Sequence, residues 1–232
     1  MTSSNYNVFI NCPYDQTYKG LLDVILFVIV VSGFNPRLAK ETSDSGENRI
    51  DKIIKLIQGS KYSIHDLSRM VSSKSGEIFR LNMPLELGID YGCRKLLPKI
   101  YGDKKFLILD KEQYRFQKAL SDLSGIDIKA HDDNGAKLME CIRDWFVETV
   151  GIRSIPSPDK MFSDYTDDFQ PYLLEKAKDL GYTESNYFYK VTIVEYIDYV
   201  KSWKKDNTLY CKIVSFSNED NTAPEKSHLL DA

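Results

Sequence analysis

The sequence predicts an α/β domain: a parallel sheet with helices on both faces. Short apolar runs alternate with helix-periodic segments five times between residues 8 and 150. Glycine or proline marks most of the junctions. The 232 residues are 42% apolar and 28% charged, enough for one domain of about 150 residues plus an extension. Repeated strand–helix alternation implies parallel strands joined by right-handed crossovers.

Val8-Phe9-Ile10 is a buried first strand that ends at the breaker Asn11-Cys12-Pro13. Residues 18–32 form a helix, stopped by Gly33. Its most apolar stretch, 21–31, is interrupted by Asp23 and is too short to span a bilayer, so it reads as a buried helix. Residues 34–39 form a second strand, and Pro36 makes it a short or edge strand. A polar loop follows over 41–48. Residues 49–58 form the clearest helix, with Ile50, Ile53, Ile54 and Ile57 on one stripe and Gly59 closing it.

Residues 62–67 are a third strand. The polar stretch 68–80 is long for a strand-to-helix connection, which marks it as functional or mobile. Pro84 sits in the first turn of a helix that runs to about Arg94. Lys105-Phe106-Leu107-Ile108-Leu109 is a fourth strand, 113–121 a helix and 126–130 a fifth strand. A helix over 136–150 carries Leu138, Met139, Ile142, Trp145 and Phe146 on one side, and Gly151 ends it.

Pro156 and Pro158 then mark a linker, dividing the chain into an α/β domain (1–152), a helical extension (153–216) and a polar tail (217–232). In the extension a helix over 162–180 should kink at Pro171. A second covers 191–204, and 210–216 reads as a strand.

The formal net charge is −3, so the surface offers no electrostatic reason to bind nucleic acid or an anionic membrane. Four separated cysteines, with no CxxC pair and no clustered histidines, do not support zinc or a disulfide framework. Residues 1–7 are polar and uncharged, unlike a signal peptide. A cytoplasmic protein is the expectation.

Ligands in open parallel sheets bind beyond the carboxyl ends of the strands. That directs attention to the loops 11–17, 40–48 (with Asp44), 66–80 and 110–113. Glu86 falls in the first turn of the helix opened by Asn82-Met83-Pro84, where the dipole favours a carboxylate. That alone accounts for a lone Glu. Asn82 and Asp90 lie four residues to either side of it, on a shared face. Gly88 and Gly92 permit close helix packing. His65 and Asp66 leave the third strand, placed to meet a ribose hydroxyl or orient a neighbour, although adjacent strand residues point to opposite faces. His65 reads equally as a core histidine. The loop Asn11-Cys12-Pro13-Tyr14-Asp15 offers N–H groups to a phosphate and a stacking ring from Tyr14, without a glycine-rich fingerprint. Cys12 has no neighbouring base that would make it a nucleophile.

Four segments together resemble the Toll/interleukin-receptor (TIR) superfamily and, more distantly, the nucleoside 2-deoxyribosyltransferases. They are VFINCPYD, DSGENRIDKIIKLIQGSKYSIHDLS, MPLELGIDYG and KKFLILD, within residues 5–150. The resemblance implies a flavodoxin-like, TIR-like five-stranded parallel sheet and a helix-borne glutamate, Glu86 by position, acting at a ribosyl C1′ carbon. Two family runs are absent: the Ser-Trp-Cys stretch before the glutamate and a Gly-Gly-Thr-Glu run.

On this resemblance the substrate is NAD⁺, with no separate cofactor. Asn82 and Asp90 would fix the ribose, Tyr14 would stack on a base, and Arg37 or Arg80, unless merely solvated, would meet phosphates. The activity implied is N-glycosidase cleavage in bacterial antiviral defence, dependent on a homo-oligomer or a defence partner. A deoxyribosyl transferase or hydrolase, and a non-catalytic adaptor or nucleotide sensor, are the competing readings. The tyrosine-rich extension reads as a packing add-on or as an oligomer or partner surface.

Overall fold

The computed structural model describes residues 4–70 and 81–213. Five strands form one all-parallel sheet: β1 (Asn7–Asn11), β2 (Asn35–Arg37), β3 (Tyr62–Asp66), β4 (Lys105–Asp110) and β5 (Lys129–Ala130). Their order, 2-1-3-4-5, is flavodoxin-like. The chain steps outward from β1 to β2, then returns across β1 to β3. That reversal opens a crevice beyond the carboxyl ends of β1 and β3. The short β2, which carries Pro36, is an edge strand, where a missing ladder donor costs least.

Period-two alternation divides the strand side chains between two cores. Val8, Ile10, Ile64, Leu107 and Leu109 join the core on the side of helix α1 (Lys19–Val31). Phe9 packs against Ile53, Leu56 and Ile57 of α2 (Arg49–Gln58). Ile108 meets Met83 and Leu87 of α3 (Asn82–Leu96). A short α4 (Pro98–Tyr101) follows α3.

Helix α1 is buried on every side from Leu21 to Val31. A helix apolar all round needs cover all round. The sheet and α5 (Gly135–Trp145) supply part of it. The extension supplies the rest through α6 (Pro158–Ser163), α7 (Gln170–Asp179), α8 (Tyr187–Lys190), α9 (Ile193–Asp206) and α10 (Thr208–Cys211). The Phe27 ring of α1 lies 5.1 Å from the rings of Tyr165 and Phe169 and 5.5 Å from Trp203. One apolar core therefore runs across the Pro156–Pro158 junction.

Several expectations need correction. In α2 the buried residues are Ile53, Leu56 and Ile57, while Ile50 and Ile54 are only half-buried, so the inward stripe is rotated toward Leu56. Residues 113–121 form no α-helix. They carry a 3₁₀ turn at Arg115–Lys118, begun by Tyr114 at φ 65°, a conformation that a helix cannot propagate. The disruption expected at Pro171 takes the form of a π-helical stretch, Asp164–Phe169, just before it, which separates α6 from α7 while the backbone stays helical throughout. Residues 208–211 are helical rather than extended, and 214–216 lie outside the described residues. No described helix packs closely on Gly88 or Gly92: a methyl group added at either would meet no described atom within 4 Å. They face an exposed apolar groove with Leu85 and Leu96. No helix among the described residues is long and apolar enough to cross a membrane.

Candidate active site

Two buried polar networks flank the switch point, one on each face of the sheet. On the α3 side, the Asn11 amide donates to the Met83 carbonyl (2.8 Å) and meets His65 Nδ1 (3.0 Å). With Nδ1 accepting, the proton rests on Nε2, which lies 3.2 Å from Asp90 Oδ2. Ser63 also donates to Asp90, and Lys104 Nζ stands 3.0 Å from its other oxygen. Lys104 donates in turn to the carbonyls of Ile57 and Ser60. Burial alone would raise the Asp90 pKa, but His65, Lys104 and Ser63 hold it below the ordinary carboxylate value.

On the α1 side, Asp66 accepts from Tyr18 Oη and from the Ser68 N–H (2.7 Å), and His131 Nε2 lies 3.1 Å away. Burial pushes this carboxyl up, and His131, Tyr18 and Ser68 more than reverse the effect. His65 and Asp66 thus point to opposite faces, as strand alternation requires. Both are fully buried.

Glu86, 7% exposed, lies past the first turn of α3, because the helix already begins at Asn82, so it is not the helix-start carboxylate that the sequence suggests. Burial raises its pKa to about 7, and the positive charge of Arg49 at the start of α2 offsets part of the rise. No hydrogen bond reaches its carboxylate from a described side chain. Its charge is close enough to act on Cys12 and Tyr14 in the loop after β1. The buried Cys12 thiol is pushed well up, first by burial and then by Asp66 and Glu86, so it stays protonated. Burial likewise raises the half-buried Tyr14 phenol.

Tyr14 also lines a cleft of about 500 Å³. The β1 loop, from Pro13 to Gln16, forms one wall, and residues 189–193 of the extension form the other. Tyr14 and Asp15 both line it. Asp15 Oδ1 accepts from Thr17 Oγ1 and from the Tyr18 N–H (3.1 Å).

Of the residues expected at a bound nucleotide, Tyr14 and Asp15 line this cleft, while the buried Cys12 and Glu86 do not line it but lie close enough to act electrostatically on Tyr14. Asn11, His65, Asp66 and Asp90 underlie the crevice, their polar atoms committed to one another and to neighbouring groups. Asp90, at 0% exposure, is too deep to touch a ribose. Asn82, Glu86 and Asp90 do not present one common surface, because Asn82 is exposed and Asp90 enters the sheet-side network. Arg37 pairs with Glu41 (3.1 Å) at the β2 edge, away from Tyr14. Asp44 is exposed and accepts from the Gly46 N–H within its own loop (2.9 Å). Arg80 lies outside the described residues.

Sequence reasoning missed Lys40, Arg49, Tyr18, His131 and Lys104. Lys40 opens a loop already marked as a strand-end loop. The other four carry no local signal, since the fold alone brings them to their partners. Compared with known families, curated proteins and solved structures, the chain matches no family model, no curated protein and no solved structure.

Proposed function

We propose that the protein is an N-glycosidase that cleaves the nicotinamide–ribose bond of NAD⁺, with Glu86 as the carboxylate facing the ribosyl centre. The observation that carries this reading is the desolvated Glu86 carboxyl beside Cys12 and Tyr14 at the β1/β3 switch point. Cleavage builds positive charge on the ribose as the base departs. A fixed carboxylate in a low-dielectric site stabilises that charge more strongly than one in water. Nicotinamide already leaves from a cationic ring, so no general acid is needed and one carboxylate suffices. The bound pyridinium also favours the ionised form of Glu86, drawing its pKa back down.

Asn11, His65 and Asp90 act from below as positioning residues. Their network ties β1 and β3 to the helix that carries Glu86. The proposal extends to a role in bacterial antiviral defence, with activity that depends on self-assembly or a partner, as the TIR resemblance implies.

The test is incubation of the purified chain with NAD⁺, NADP⁺ and deoxynucleosides at several protein concentrations and under crowding, alongside Glu86→Gln. Nicotinamide release that disappears in the folded variant is the expected result. Release that persists in Glu86→Gln rejects the mechanism. Base loss from a deoxynucleoside while NAD⁺ stays whole would move the reading to deoxyribosyl transfer or hydrolysis.

A further inference from the structure

The cleft beside Tyr14 contains more than the glycosidic chemistry requires. Three lysines, Lys19, Lys40 and Lys190, line it against one acid, Asp15. Lys19 is neutralised by Asp23. Lys40 and Lys190 are exposed. Lys40 Nζ sits 4.8 Å above the centre of the Tyr14 ring, which holds the ammonium over the cleft. Opposite it, Lys190 and the exposed ring of Tyr189 come from the end of α8. Two cations and two aromatic rings across a cavity of about 500 Å³ suit an anion attached to a flat heterocycle.

We propose that this cleft binds the phosphate-bearing half of a dinucleotide, its pyrophosphate between Lys40 and Lys190 and its second nucleoside against Tyr189. The other ribose then extends past Tyr14 to Glu86. The assignment of the far ribose rests on the reading of Glu86 given above; the anion site itself does not. The extension thereby becomes one wall of the binding site as well as cover for α1. The cleft discriminates by charge: a dinucleotide gains from both halves of the site, while an uncharged nucleoside reaches only the Glu86 end.

The test uses the full chain and ADP, which carries a pyrophosphate and a nucleoside but no scissile nicotinamide bond. Isothermal titration should show ADP binding that weakens at least tenfold in the double variant Lys40→Glu/Lys190→Glu. Both side chains are exposed, so circular dichroism should be unchanged. Glu86→Gln should bind ADP as the wild type does. If the wild type cleaves NAD⁺, the double variant should raise KM for NAD⁺ at constant kcat and leave cleavage of nicotinamide riboside, which has no phosphate, unaltered. Failure of ADP to bind the wild type, or equal binding by the double variant, overturns the proposal. Lysine-dependent ADP binding without NAD⁺ turnover upholds the cleft and removes the glycosidase reading. NAD⁺ turnover with an unchanged KM in the double variant removes the cleft and leaves Glu86 in place.

Discussion

Glu86 ionises at about 7 against an ordinary 4.5, and the cause is burial. If the carboxylate is the working form, kcat/KM falls about tenfold per pH unit below pH 7, and a pH–rate profile measures it. The same shift affects stability with the opposite sign. Below pH 4.5 the group is protonated in both folded and unfolded chains and costs nothing. Between 4.5 and 7 the unfolded chain loses the proton first, so folding becomes progressively less favourable. Above 7 the full cost applies, up to about 3 kcal/mol. Glu86→Gln should therefore raise Tm at pH 8, leave it unchanged at pH 4 and abolish activity at pH 8; equal Tm values at pH 8 would refute the burial argument. Lys104 gives a contrasting case. Lys104→Met leaves Asp90 buried with a lost partner and should destabilise by about 3–5 kcal/mol in urea unfolding, and adding Asp90→Asn should recover part of that. That a helix carries Glu86 was legible from the Asn82-Met83-Pro84 start, but the surface it shares with Asn82 and Asp90 was not, because packing buries Asp90 and leaves Asn82 exposed. The partners of His65, Asp66 and Asp90 were not, because Lys104, Tyr18 and His131 approach them from distant parts of the chain.

At the level of elements, strands and long helices were legible wherever periodicity was strong, as in β1, β3, β4, α1 and α5. The failures fall where tertiary packing chooses among equivalent apolar faces. Helix α2 turns Leu56 inward because β1 presents Phe9 there. The segment over 113–121 has Phe116 to bury but too little further apolar spacing to carry a helix. Helix α9 shows how a short signal can be decisive. Thr192 accepts from the Glu195 N–H, and the Glu195 carboxylate accepts from the Thr192 N–H (2.8 Å), a capping box at the wall of the cleft. Thr192→Ala should cost about 1 kcal/mol of stability by thermal denaturation, without the tenfold loss of ADP affinity expected for the lysine variants.

For the whole molecule, the proline-marked boundary at 153 divides the sequence but not the core. A buried helix was legible in residues 21–31 and a packing role in the tyrosine-rich extension; that the one covers the other depends on contacts between distant parts of the chain. A chain cut after residue 152 should expose Phe27 and its neighbours, bind the dye ANS and aggregate on size-exclusion chromatography. A folded monomer of that length would show the extension to be dispensable. The Tyr196 hydroxyl donates to the Asp23 carbonyl (3.0 Å) across 173 residues of sequence. During synthesis, α1 leaves the ribosome well before the helix that completes its shelter, which follows it at this long separation. A strongly apolar segment must therefore wait, partly uncovered, until α9 has been made. The nascent chain is then a natural client for a holding chaperone, and slower elongation through α9 would lengthen the interval in which it can misassociate.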